Sequence, residues 1–266
     1  MSSELVTTRK NRFVKLKSLR TWIGALTRPR RSTLPVRRYA LWLMIAATLI
    51  AASMITLDQW AISAVARLPA WINRSFKLLT DLGRSVLFLV PLGFCILALV
   101  VSSPFFGRIE RLASAIVATR LSFLFAAIAL PDLFVTVAKH LIGRRRPSSL
   151  GPFAYDPFSW SPAFASLPSA HAATACSVAV AFGILFPHIR FLLWTYAILI
   201  MASRVVISAH YPSDVMAGAF VGIFGSLWVR DWFAERRMGF YINASGGVQP
   251  LSRLSLARLM RMTRRR

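Results

Sequence analysis

Lys139, Arg146 and Arg204, two histidines at 171 and 210, and the carboxylate of Asp214 are the side chains of this sequence that together could do chemistry on a phosphate. They fall in three short segments: Lys139 through Arg146-Pro147, then Pro168-Ser169-Ala170-His171, then Ser203-Arg204 leading to His210 and Asp214. Three cations can neutralise phosphate oxygens, and one imidazole can attack phosphorus while the other moves a proton. A carboxylate four residues after His210 can accept a hydrogen bond from one ring nitrogen and leave the other lone pair free. Ser169 stands where a Pro- and aromatic-rich loop becomes an apolar helix. It suits an N-cap, next to first-turn N–H groups that make an anion site with Ala170 among them.

Each segment also has a plainer reading. Lys139 and Arg146 are seven residues apart, about two helical turns, so a helix running through Gly143 would aim both at one spot before Pro147 ends it. The run Arg144-Arg145-Arg146 equally suits a solvated cluster at a membrane edge, and Arg144 and Arg145 are assigned to that role. His171 alone fits an ordinary interfacial histidine, and Asp214 alone a helix-start acid favoured by the dipole. Arg204 resists such a reading, because a charge near an apolar run is costly without a partner or a function.

The elements that must position these residues are hydrophobic. Of the 266 residues, 56% are apolar, and the mean hydropathy of +0.57 points to a polytopic membrane protein. The expected fold is all-α, a bundle of six transmembrane helices near Tyr39–Leu57, Ser85–Val101, Leu121–Leu141, Ala172–Phe186, Ile189–Ser208 and Val215–Val229. Several of these are short against the roughly twenty residues that a bilayer core requires. The first run begins too far from Met1 for an ordinary cleaved signal and reads as a retained anchor.

The net charge of +24 concentrates at the ends: eleven Lys or Arg precede Tyr39 and nine lie from Arg230 onward. That distribution reads as topology signal and anionic-lipid contact, not nucleic-acid binding, since no aromatic-basic platform accompanies it. Residues 1–38 and 231–266 are therefore expected as basic cytoplasmic tails around a core at 39–230. Leu16, Leu19, Ile23 and Leu26 at helical spacing suit a surface helix, and Leu251, Leu254, Leu256 and Leu259 allow a weaker one. The topology puts the loop from Ile142 to His171 and the turn at His210 on one non-cytoplasmic face. The first loop, with Arg67, Arg74, Lys77 and Arg84, runs against the charge rule. Cys95 and Cys176 lie in apolar runs and read as buried free thiols. No Cys/His spacing suits zinc and carboxylates are scarce, so no metal site and no cofactor are expected.

In their order and spacing the three segments resemble the type-2 phosphatidic acid phosphatase superfamily, which shares a phosphate site with vanadium haloperoxidases. Lys139 with Arg146-Pro147, and Ser203-Arg204 with His210 and Asp214, match its outer patterns. The middle pattern, normally Pro-Ser-Gly-His, here has Ala170 for glycine. In a first helical turn that methyl strains nothing but crowds the phosphate.

The resemblance implies His210 as nucleophile oriented by Asp214 and His171 as acid and then base. Lys139, Arg146, Ser169, Ala170 and Arg204 then form the phosphate cradle, with no metal. It further implies a bell-shaped pH–rate profile and a bacterial cytoplasmic-membrane lipid phosphate phosphatase working at the periplasmic face. Its substrate would be a polyprenyl diphosphate, lipid A, phosphatidylglycerophosphate or phosphatidic acid. A lipid phosphotransferase and a non-catalytic lipid-binding or transport relative are the other readings. Phe153, Tyr155, Phe158 and Trp160 suit either substrate contact or an interfacial aromatic belt.

Overall fold

Long apolar runs dictate helices, and a computed structural model, describing residues 36–147, 151–242 and 247–250, contains seven α-helices. These are α1 (Val36–Val65), α2 (Ala70–Thr80), α3 (Val86–Ser102), α4 (Arg108–Ile142), α5 (Ala170–Leu185), α6 (Arg190–Val206) and α7 (Pro212–Glu235). A short antiparallel pair, β1 (Phe240–Ile242) with β2 (Val248–Pro250), departs from the all-α expectation. The amphipathic readings at 16–26 and 251–259 lie outside the described residues.

Among the described residues five helical stretches are long and apolar enough to cross a membrane: Tyr39–Val65, Ala70–Phe105, Ile109–Ile142, Pro187–Val206 and Pro212–Glu235. The second of these joins α2 and α3. The expected spans are mostly extended. α1 runs on past Leu57 to Val65, and α4 begins at Arg108, so the anticipated second-to-third loop is largely helix, opened by Gly107 N–H donating to Glu110 at 2.9 Å. At 16 residues α5 is about 24 Å long, short of a bilayer core.

α5 is short because protein, not lipid, surrounds it. It packs against α4, α6 and α7, and Ala172, Ala173, Ala175, Cys176, Ala179 and Ala181 are fully buried. A helix apolar on every face belongs inside a bundle. α7 approaches it most closely through Gly218 and Gly222, where an added Cβ would collide with the carbonyls of Ser169 and Ala173. That glycine pair, four residues apart, lets two backbones meet as small-residue stripes do in membrane helices. The closeness matters for the site, because Ser169 N–H then donates to the Asp214 carbonyl at 3.0 Å.

Several polar groups inside the bundle pair between helices. Asp132 of α4 accepts from Ser85 at 2.9 Å and from Thr174 of α5 at 3.4 Å. At the other end Tyr39 donates to Asp231 at 2.6 Å, fastening the start of α1 to the end of α7. Phe240 packs into the core beside Phe123 and Phe233, so the packed unit continues beyond Arg230. Cys176 is buried as expected, whereas Cys95 is exposed on the apolar outer surface of α3.

Candidate active site

The site forms at the end of the bundle where α4 stops, α5 starts, and α6 turns into α7. α4 does not run through to Arg146. It ends at Ile142, and Gly143 takes a left-handed conformation (φ 62°) with its N–H on the Lys139 carbonyl at 3.0 Å. Glycine is required there twice over, since a Cβ would also collide with the Asp156 carbonyl. The three arginines therefore follow in non-helical backbone, with an isolated bridge from Arg144 to Tyr155. Helical spacing is not what relates Lys139 to Arg146.

Arg144 corrects the edge-cluster reading. It is fully buried, and its guanidinium donates to Asp58 at 2.7 Å, Asp214 at 2.6 Å, Ser213 at 2.7 Å and the Pro152 carbonyl at 3.0 Å. The Tyr211 ring lies under it at 4.4 Å. Asp58, likewise fully buried, closes the network by accepting from the Ser213 N–H at 3.0 Å and hydroxyl at 2.6 Å. Sequence reasoning missed Asp58, whose signal was a carboxylate at the edge of the first apolar run in a chain with nine acids against 33 bases. Arg145 half-keeps its expected place, resting over the Phe164 ring at 5.4 Å.

Asp214 sits at the third position of α7, where it accepts from its own helix start, Tyr211 N–H, at 2.9 Å. Its carboxylate also takes the Ser166 hydroxyl at 2.5 Å and the Arg144 guanidinium. It does not hold the imidazole as expected. His210 Nδ1 is 3.8 Å from Asp214 Oδ2, too far for a hydrogen bond, and 2.8 Å from the Ser166 carbonyl. Nδ1–H therefore donates to Ser166, leaving the lone pair on Nε2. Asp214 acts one residue removed, by fixing Ser166 through its hydroxyl. Burial pushes the His210 pKa below its usual value against the pull of Asp214, so the ring is neutral at neutral pH.

The cradle residues are arranged otherwise. Arg204, on the last turn of α6, is buried and donates to Thr80 at the end of α2 at 2.6 Å, while its Nε has no partner. Arg146 Nε and the fully buried Ser169 hydroxyl are also buried without a partner. Ser169 holds the N-cap position but its side chain caps nothing, and Ala170 is the first residue of α5. His171 lies in that first turn, against Gly83 of the first loop, within electrostatic reach of Arg204, His210 and Arg146. Lys139 is half-buried in the last turn of α4. Buried donors without protein acceptors, around two histidines, are an anion site in form. Among the described residues no three His, Cys, Asp or Glu side chains gather as a metal site.

The fold is a helical bundle with several helices long and apolar enough to cross a membrane, and buried cationic donors gather near the start of α5 and the turn before α7. Residues 120–238 match the PAP2 superfamily. Two relatives, both named lipid A 1-phosphatase, are 37% identical over 128 residues (Rhizobium johnstonii) and 41% identical over 110 residues (Rhizobium etli). The matches cover 47% and 40% of this chain and 52% and 47% of the relatives, so the chain spans about half their length. Similar solved structures are Aquifex aeolicus LpxE, at 24% identity and TM-score 0.46, and a Bacillus subtilis PAP2-type phosphatidylglycerolphosphate phosphatase, at 24% and 0.48. They align with 65% and 73% of this chain and 93% of each neighbour.

Proposed function

We propose that this protein hydrolyses a phosphate ester on a membrane lipid, without a metal, through a phosphohistidine on His210. The observation that carries the reading is the set of buried donors without protein partners, on Arg146, Ser169 and Arg204, beside a histidine whose Nδ1 is committed to a backbone carbonyl. Held by those groups and Lys139, the phosphoryl group meets Nε2 of His210 in line with the lipid oxygen. The N–P bond forms as the P–O bond breaks, and His171, protonated when the phosphate anion is bound beside it, gives its proton to the departing oxygen. His171, now neutral, takes a proton from water, whose oxygen displaces His210 and releases inorganic phosphate. The cationic cradle stabilises charge on the equatorial oxygens at both steps.

Six spans, counting α5, with both termini cytoplasmic and the site opening toward the periplasm of a bacterial inner membrane, complete the reading. Lipid A is the favoured substrate, because the two relatives carry that name. The test is phosphate release from a panel of lipid phosphates in detergent with chelator present. His210→Ala and His171→Ala should each reduce release by at least about a thousandfold. Release by either variant at the wild-type rate rejects the mechanism, and a phosphorylated acceptor lipid in place of free phosphate would make the protein a transferase.

A further inference from the structure

We infer that α2 carries a second anion subsite, for a second phosphate on the same lipid headgroup; this rests on the lipid phosphatase reading and narrows its substrate to headgroups with two separated anionic groups. Arg74 and Lys77, two of the four first-loop cations that disobey the charge rule for topology, stand near the turn that carries His210. A cavity of about 800 Å³ is lined by Asn73, Arg74 and Lys77 of α2, by Pro147 beside Arg146, and by Ser208 of the turn before His210. No carboxylate lines it. It shares Ile62, Val65, Pro147 and Ser208 with a narrow cleft that His210 itself lines, so the two spaces are neighbours.

The helix is built for this placement. Trp71 and Leu78, seven residues apart, form one exposed apolar stripe, suited to lipid. Asn73, Lys77 and Thr80 form another about opposite, at i, i+4 and i+7, with Arg74 flanking it. Thr80 is the residue that holds Arg204, so Lys77 stands one turn and Asn73 two turns from the cradle, roughly 5–10 Å along the axis. The Asn73 amide on the Val206 carbonyl, 3.5 Å, keeps α2 against α6. A single phosphate already has Arg146, Arg204 and Lys139. Two further cations in a cavity of this size suit a headgroup as large as a phosphorylated disaccharide.

The full-length protein in detergent should be assayed on lipid A with a phosphate at each end of its headgroup, on the same lipid with only the scissile phosphate, and on phosphatidic acid. The double variant Arg74→Gln/Lys77→Gln should lose about tenfold in kcat/KM on the doubly phosphorylated lipid and stay within about twofold on the others. Lys77→Arg should retain the wild-type preference. An equal loss on all three lipids, or a loss seen only in anionic vesicles and absent in neutral detergent, overturns the subsite in favour of a general membrane-surface role. No loss on any lipid overturns it too. If wild type releases phosphate from none of them, the phosphatase reading itself fails and the subsite falls with it, an outcome distinct from a variant without effect.

Discussion

Arg144 and Arg146 are two residues apart, yet their surroundings are opposite. Every guanidinium nitrogen of Arg144 has a partner: two carboxylates, a hydroxyl and a carbonyl accept from it, and an aromatic ring lies under it. Arg146 keeps a buried Nε without a protein acceptor. A buried cation with all partners internal holds a structure in one arrangement, whereas one with donors to spare is available to an anion. The non-helical backbone after Gly143 carries both arginines, so a single short segment supplies an internally paired cation and one with a buried donor to spare.

Breaking this contrast gives the largest expected effects. Arg144→Ala leaves Asp58 and Asp214 buried and uncompensated, and should cost about 3–5 kcal/mol of stability, read as a large drop in the thermal midpoint in detergent. Arg146→Ala should melt near wild type while losing about 10²–10³ in kcat. Equal stability losses in the two variants would erase the distinction. Ser166→Ala sharpens it at a smaller scale. The variant keeps the carbonyl that holds His210 but loses the hydroxyl on Asp214, and a decrease of about 1.5–3 kcal/mol in stability is expected, with the pH dependence of the rate slightly altered.

The pH profile tests the electrostatics of the frame. In the proposed mechanism His210 attacks only when neutral, and its pKa is lowered by burial, so activity is expected above that pKa and should fall as pH drops through it. The acid limb of kcat/KM should therefore lie below about pH 6.5, the ordinary imidazole value; a His210-dependent limb above it would contradict the buried setting. The smallest effect belongs to Ala170→Gly. Removing the methyl at the mouth of the cradle should change kcat/KM by only about two- to fivefold and lower stability by at most about 1 kcal/mol, measured by initial rates and unfolding.

How much was legible follows from the range over which each signal acts. Apolar runs announced the helices, because burial in lipid or protein leaves no other element available to such stretches. Their ends were less visible: α1 and α4 continue past the apolar windows, and that continuation is what brings Asp58 into the site. The identities of the cradle residues were also readable, since Arg204 within an apolar run and a histidine behind an N-cap serine are conspicuous in composition alone. The Ser166 carbonyl that holds His210 left no trace, because any residue type supplies a carbonyl.

By itself, then, the sequence determined the membrane class, the helices and the side chains available for phosphate chemistry, all of which depend on residue type and local spacing. The tertiary structure decided which arginine is paired internally and which keeps a buried donor to spare, that Asp214 reaches His210 by way of Ser166, and that α2 lines the cavity. Those are matters of which groups from distant segments share a few ångströms, and burial makes an unshared charge too costly for any other arrangement of Asp58, Arg144 and Asp214 to persist.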